Sequence, residues 1–297
     1  MEFRIGAIFP QLDLGMDPAA ALAFAREVEA LGFSHIVAYD HVVGADTTNR
    51  PDWAGPYDVD SPFLEPLILF SHWAGSTQKI GFMTGIVIAP QRQTVLFAKQ
   101  AATLDLICNG RLRLGLGIGW NKVEYDALGR PFNRRGALLD EQIPLLRQLW
   151  TKKSLTDKGS FHDIVEAGIN PLPVQQPIPI WLGGVSDAAI RRAAQAGDGW
   201  LPLMSVDRAP VALDQFRTEV ERAGRDPADV GIENILFFQL NPNKPPKTPD
   251  MLIAEALQWQ ALGANGIAID TMRLGLREVD QHLELFARIG RELGIGA

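Results

Sequence analysis

The chain has 297 residues, 46% of them hydrophobic and 21% charged, an ordinary globular balance that can bury a sizeable core. Its net charge of -7 argues against a general affinity for nucleic acid or an anionic membrane surface. One cysteine, Cys108, excludes an internal disulfide framework. With no signal-peptide pattern in Met1 to Pro10 and no apolar run approaching the roughly 18 residues of a membrane helix, a cytoplasmic protein is expected.

Short apolar runs alternate with longer amphipathic patterns from end to end. A strand at Phe3–Phe9 precedes a helix at Pro18–Leu31, and His35–Tyr39 precedes Pro62–Gly75. Ile80–Ile88 leads to Thr94–Cys108, and Leu112–Gly117 to Arg135–Trp150. Ile178–Leu182 is followed by Asp187–Ala196, and Gly199–Leu203 by Ala209–Ala223. Ile232–Leu240 then pairs with Thr248–Leu262, and Gly266–Asp270 with Leu276–Leu293. The strand segments are rich in Ile, Val, Leu and Phe, as strands buried on both faces should be. Eight such units predict an α/β fold, a (β/α)₈ TIM barrel formed as a single domain over residues 1–297. An open doubly wound sheet stays open as an alternative, because periodicity does not reveal closure.

Punctuation supports these boundaries. Gly32 and Gly263 stand just past helix ends, while Asp17-Pro18 and Ser61-Pro62 place a capping residue before a first-turn proline. Three connections are long: 41–61, 119–134 and 151–176. The first two follow strand C-terminal ends, where barrel enzymes build their sites. The third follows a helix and reads as an insertion.

Glycine dominates the predicted strand ends. The third strand reaches Thr84-Gly85-Ile86, the fourth Gly117-Ile118-Gly119-Trp120 and the fifth Gly183-Gly184-Val185. Glycine lets backbone approach a bound ring or phosphate, because no Cβ intervenes. A dinucleotide fingerprint does not fit. Starting at Gly115 or Gly117, the third glycine falls on Trp120 or Lys122, which cannot give the close helix–strand packing that motif needs. Reactive side chains are scarce, which points to a large flat cofactor that performs the chemistry. His41, preceded by Asp40, is the one histidine at a strand C-terminus with an acid beside it. It is the candidate proton donor or acceptor, its charged form favoured by the carboxylate. Gly183-Gly184 before a helix that Ser186 can cap forms a candidate phosphate grip, although Asp187 in the first turn opposes an anion there. No metal site is expected, since metal-ligand spacings are missing. Arg134-Arg135 with Asp140-Glu141 reads as a helix-stapling charge cluster. Trp150, Trp259 and Phe286 read as core; Trp181 and Trp200 as packing between barrel and helices.

The ordered set Ala38-Tyr39-Asp40-His41, Thr84-Gly85-Ile86 through Pro90, Ala98 to Asp105, Asn109-Gly110-Arg111 and Gly117-Ile118-Gly119-Trp120 resembles the bacterial luciferase-like superfamily. Leu182-Gly183-Gly184 and Gly197-Asp198-Gly199-Trp200 continue the likeness, which fades after about Leu201. The resemblance implies an α/β barrel with an insertion that uses FMN or the deazaflavin coenzyme F-420, working as a monooxygenase or as a hydride-transferring oxidoreductase. Asp40 before His41, and Gly119-Trp120-Asn121, look most like the deazaflavin branch. The resemblance further implies catalytic roles for His41 and Asp40 and a cofactor site of Thr84, Gly85, Ile86, Gly117, Ile118, Gly119, Trp120, Gly183, Gly184 and Val185. It also implies a non-prolyl cis peptide between Gly85 and Ile86, a small-molecule substrate and a homodimer. Several deazaflavin dehydrogenases carry an acidic glutamate two residues past the second of these strand-end glycines; here that position is Gly119. Coenzyme F-420-dependent hydride transfer is therefore the preferred expectation, with FMN-dependent monooxygenation as runner-up and a non-redox barrel or flavin-binding protein as the third.

Overall fold

The computed structural model describes residues 3–241 and 243–295. Strands β1 (Arg4–Ile8), β2 (His35–Ala38), β3 (Gly81–Thr84), β4 (Val87–Ile88), β5 (Leu112–Gly117), β8 (Ile180–Gly183), β9 (Gly199–Leu201), β10 (Gly231–Phe237) and β11 (Gly266–Asp270) form one parallel sheet. Its order is β3-β2-β1-β11-β10-β9-β8-β5-β4, and β3 also pairs with β5, so the sheet closes into a TIM barrel. The open-sheet alternative is thereby excluded. An antiparallel hairpin of β6 (Leu155–Lys158) and β7 (Asp163–Ala167) lies outside the barrel.

The run expected as one strand at 80–88 is two. β3 pairs with the start of β5 (Phe82↔Leu112) and β4 with its end (Val87↔Leu116). Between them the Gly85–Ile86 peptide is cis. Thr84 Oγ1 donates to the Gly115 carbonyl at 2.7 Å, tying the break to the neighbouring strand.

Helices α2 (Pro18–Ala30), α3 (Pro66–Ala74), α4 (Thr94–Ile107), α6 (Arg135–Thr151), α7 (Asp187–Ala196), α8 (Ala209–Arg222), α9 (Pro249–Ala261) and α10 (Val279–Glu292) follow the barrel strands in turn. Asp17 caps α2 by accepting from the Ala19 and Ala20 N–H groups, and Gly32 past its end has φ +87°. α3 starts later than expected, because Glu65 rather than Ser61 caps it, accepting from the Ile68 N–H. α10 likewise starts at Val279, where Glu278 and Gln281 form a capping box. Two short helices, α1 (Gln11–Leu14) and α5 (Lys122–Ala127), lie in connections where no helix was expected. At four and six residues they are too short to display a hydrophobic period.

Two apolar layers hold the fold. The outer one, between strands and helices, contains Phe9, Phe24, Phe70, Trp73, Trp150, Trp200, Phe216, Trp259 and Phe286, all essentially inaccessible. Each such side chain contributes roughly 1.5–3 kcal/mol by leaving water. The inner layer is Ile8, Val37, Tyr39, Met83, Trp181, Leu201, Ala268 and Met272. Trp200 therefore packs between barrel and helices as expected, stacked on Phe216 at 4.7 Å, whereas Trp181 lies in the inner layer. Its ring has room because Gly199 and Gly231 lack the Cβ atoms that would strike it.

Below this layer a charge network plugs the N-terminal end of the barrel. His35 Nε2 meets Glu233 Oε1 at 2.7 Å, and Arg113 meets Glu233 Oε2 at 3.1 Å while stacking on Trp181. The expected charge staple of α6 is different in detail. Asp140 pairs with Arg192 of α7, and Glu141 accepts from the Ser160, Phe161 and His162 N–H groups. Arg134 and Arg135 lie over Phe161 and Phe132. No helix among the described residues is long and apolar enough to cross a membrane.

Candidate active site

The parallel closure brings the glycine-rich strand ends to one mouth. Gly85, Ile86, Gly117, Ile118, Gly119, Gly183, Gly184 and Val185 line a single trough of about 260 Å³, together with Leu201, Pro202, Leu203 and Ile235. Ile86 makes its floor. A Cβ on Gly117 would meet Ile86 Cδ1 at 2.6 Å, and one on Gly183 would meet Ile86 Cγ2 at 3.1 Å. The two glycines are what allow that side chain to lie across the ends of β5 and β8. Thr84 is buried behind the floor, engaged with Gly115. Among the described residues no ionisable side chain lines the trough.

Gly184 has φ +120°, and its carbonyl accepts from the Trp200 indole N–H at 2.8 Å. Ser186 caps α7 by accepting from the Ala189 N–H. Asp187, which would repel an anion, is turned aside to accept from Gln215 at 2.9 Å. The first turn of α7 thus presents backbone N–H groups beside Gly183 and Gly184, the arrangement that favours a phosphate.

His41 stands just beyond β2. Its Nδ1 lies 3.1 Å from Glu124 Oε1, and Glu124 is fully buried. The same carboxylate accepts from the Val42 N–H at 3.0 Å and from Gln91 Nε2 at 3.1 Å. Burial pushes the Glu124 carboxyl up, but the hydrogen bonds from His41, Gln91 and the Val42 N–H outweigh it and hold the group below its ordinary value. An ionised carboxylate only accepts, so His41 Nδ1 carries a hydrogen. His41 Nε2 makes no hydrogen bond among the described residues. The ring is packed by Tyr57 at 4.7 Å and Phe63 at 4.8 Å, with Trp120 at 5.9 Å.

The acid beside His41 in sequence is not the acid beside it in space. Asp40 faces Arg92, which contacts it at 2.8 Å, and accepts from the Ile88 N–H at 3.2 Å. Arg92 also contacts Glu65 at 2.8 Å. Successive residues leaving a strand point to opposite sides, so Asp40 braces the break between β3 and β4 while His41 faces the mouth. Burial raises the Asp40 carboxyl despite Arg92. Sequence reasoning missed Glu124. It lies on α5, whose N-terminus Asn121 caps through the Val123 N–H at 3.0 Å. The one local signal was its place three residues past the capping Asn121 and five past Gly119.

Leu203, Trp120, Val185 and Val42 are 54%, 42%, 44% and 45% exposed around this mouth. They come from four different strand ends, and Val185 and Leu203 line the trough itself. Such a rim marks a ligand site rather than scattered surface. Among the described residues no group of three His, Cys, Asp or Glu side chains is placed to hold a metal.

A closed parallel barrel with an apolar trough and a carboxylate-held histidine at its C-terminal mouth defines an α/β-barrel enzyme class. Residues 2–243 match the luciferase-like monooxygenase family, and the chain belongs to that family of oxidoreductases. It is 34% identical over 206 residues to an uncharacterized protein of Mycobacterium tuberculosis, covering 68% of this chain and 70% of that one. It is 33% identical over 132 residues to the F-420-dependent glucose-6-phosphate dehydrogenase of Amycolatopsis mediterranei, covering 43% of this chain and 39% of the other. An F-420-dependent secondary alcohol dehydrogenase, solved with an F-420–acetone adduct, superposes with a TM-score of 0.80 at 16% identity over 99% of both chains. That likeness is one of fold.

Proposed function

We propose that this chain is a coenzyme F-420-dependent oxidoreductase acting on a small organic substrate. The single observation that carries this reading is His41, held at Nδ1 by buried Glu124 and left without a partner at Nε2 among the described residues, at the same barrel mouth as an apolar glycine trough. The trough suits a flat ring system, because backbone glycines and Ile86 make its walls and floor and no ionisable side chain lines it. Gly85, Ile86, Gly117, Ile118 and Gly119 would hold the ring, with Trp120 standing outside the trough beside Gly119; Gly183, Gly184 and Val185 would hold its phosphate. When bound, the deazaflavin supplies the acceptor or donor of a hydride. His41 moves the accompanying proton at Nε2, and Glu124 stabilises the imidazolium that forms when that nitrogen is protonated. Asp40 acts as a positioning residue through Arg92 and the Ile88 N–H. The glutamate that several deazaflavin dehydrogenases use is replaced by Gly119, and the Glu124 carboxylate lies next to the histidine instead. That difference argues against a sugar-phosphate dehydrogenase mechanism, despite the partial likeness to the Amycolatopsis enzyme.

The family match to monooxygenases favours one second reading, FMN-dependent oxygenation in the same trough. Fluorescence titration with both cofactors separates the two. F-420 is expected to bind at micromolar affinity or tighter, with FMN appreciably weaker; equal binding, or a preference for FMN, moves the protein to the second reading. We also propose a homodimer. Ile68 on α3 and Leu96 and Ile107 on α4 are exposed apolar residues on neighbouring helices, and sedimentation at the mass of one chain would refute it.

A further inference from the structure

A second cavity lies at the mouth, outside the trough. Trp53, Ala54, Gly55, Pro56 and Trp120 line an open cleft of about 510 Å³. It borders the trough, because Trp120 follows Gly119 directly in the chain. The indoles of Trp53 and Trp120 stand 5.6 Å apart between centroids at 54°. Trp53 is fixed by its indole N–H, which donates to the Tyr57 carbonyl at 3.2 Å. Gly55 sits against both rings. A Cβ there would meet Trp120 Cη2 at 2.5 Å and Trp53 Cζ2 at 2.6 Å. The 41–61 connection therefore packs its backbone directly on the two indoles, which only glycine permits. The Trp120 ring also stands 5.9 Å from the His41 ring, so this indole is shared between the cleft and the packing around the proposed proton carrier.

Among the described residues the lining of the cleft carries no ionisable group. The cations around it are engaged elsewhere. Arg50 donates to the Asp46 carbonyl at 2.7 Å, Lys122 pairs with Asp126, and Arg92 is neutralised by Asp40 and Glu65. Arg273 lies over Tyr57 at 5.3 Å and donates to the Pro56 carbonyl at 3.3 Å. Of the acids of the connection, Asp46 accepts from the Thr48 N–H and Asp58 from Ser61 and the Asp60 N–H, while Asp52 and Asp60 are exposed and outside the cleft lining. Two indole faces with no fixed charge select by stacking and by apolar burial, not by ion pairing.

We infer that the Trp53–Trp120 cleft is the substrate chamber, and that it takes an uncharged aromatic or cyclic organic molecule stacked on the indole that also packs on His41. This rests on the oxidoreductase reading above for the role of His41, but not for binding in the cleft.

Binding can be measured without turnover. Calorimetric titration uses 2-naphthol as the uncharged flat probe, glucose 6-phosphate as the anion and choline as the cation, on wild type, Trp53→Ala, Trp120→Ala and Trp53→Phe. Both indoles are partly exposed, so these replacements do not hollow the core. Naphthol is expected to bind wild type, to weaken at least about tenfold in either alanine variant as a stacking face is lost, and to recover in Trp53→Phe. Coenzyme F-420 binding to Trp53→Ala should match wild type. Tighter binding of glucose 6-phosphate or choline than of naphthol, or naphthol binding indifferent to both tryptophans, overturns the chamber. Loss of F-420 in Trp53→Ala equal to the loss of naphthol assigns the indoles to the cofactor and also overturns it. Failure of wild type to bind F-420, with naphthol still dependent on both indoles, sinks the cofactor reading and leaves the chamber standing.

Discussion

Two buried histidine–glutamate pairs occupy opposite ends of this barrel, anchored at the two ends of the same strand. At the N-terminal end, His35 and Glu233 are 2.7 Å apart, each 2% exposed. Ser34 Oγ takes the other ring nitrogen at 2.8 Å, and Arg113 takes the second carboxylate oxygen. Every face of that pair is filled, down to Gly6, where a Cβ would strike the His35 ring. Burial lowers the His35 pKa even though Glu233 opposes the change, while Arg113 and His35 outweigh burial and bring Glu233 down to about 2. At the mouth, His41 and Glu124 have the same chemistry with one difference. The carboxylate is enclosed, but the histidine keeps a free nitrogen and a 12% exposed side chain beside a cavity. A His–Glu pair closed on all sides holds a structure together; one left open on a single edge can exchange a proton. Residue type does not distinguish the two pairs. The unfilled edge does.

Three substitutions would break or sharpen this contrast. The largest effect is expected for His41→Ala, which should slow the proposed hydride transfer by roughly 10²–10⁴-fold, the usual contribution of one general acid or base. Cofactor affinity should stay within a few-fold and thermal stability near wild type. Stopped-flow traces indistinguishable from wild type would make His41 as structural as His35.

Glu233→Ala should do the reverse, destabilising the fold by roughly 3–5 kcal/mol, because Arg113 and His35 are left buried without their partner. The pH dependence has a definite sign. The folded pKa of Glu233, about 2, lies below its ordinary 4.5. Its contribution is therefore present above pH 4.5 and lost as pH falls towards 2. Denaturant unfolding of wild type and variant should converge over that acid window. A variant equally stable at pH 7 would show that the network contributes nothing.

The smallest effect belongs to Glu124→Gln, which keeps a hydrogen-bond acceptor near His41 and removes the charge. The imidazolium that forms in the proton-transfer step then loses its counter-charge while its hydrogen bond survives, so kcat should fall by roughly tenfold with KM little changed, since a charge-assisted hydrogen bond is about twice as strong as a neutral one. A merely structural Glu124 would leave kcat in place.

The order of strands and helices was legible because it is local. Apolar runs such as Leu112–Gly117 and amphipathic stretches such as Asp187–Ala196 declare themselves within a few residues, and glycine at a strand end limits what can stand beside it whatever the fold. From these came the barrel and the list of strand ends that line the trough. The 155–167 hairpin escaped notice because Leu155 is the one buried residue in either strand, leaving no alternation to read. Partners were a different matter. His41 and Glu124 are 83 positions apart, His35 and Glu233 are 198 apart, and Trp53 meets Trp120 across two connections. Such pairings are set by barrel closure and strand register, which bring distant segments within a few ångströms, and no local period encodes them. Adjacent residues on an extended chain point opposite ways, so Asp40 was drawn to Arg92 and the acid that serves His41 came from another strand's connection.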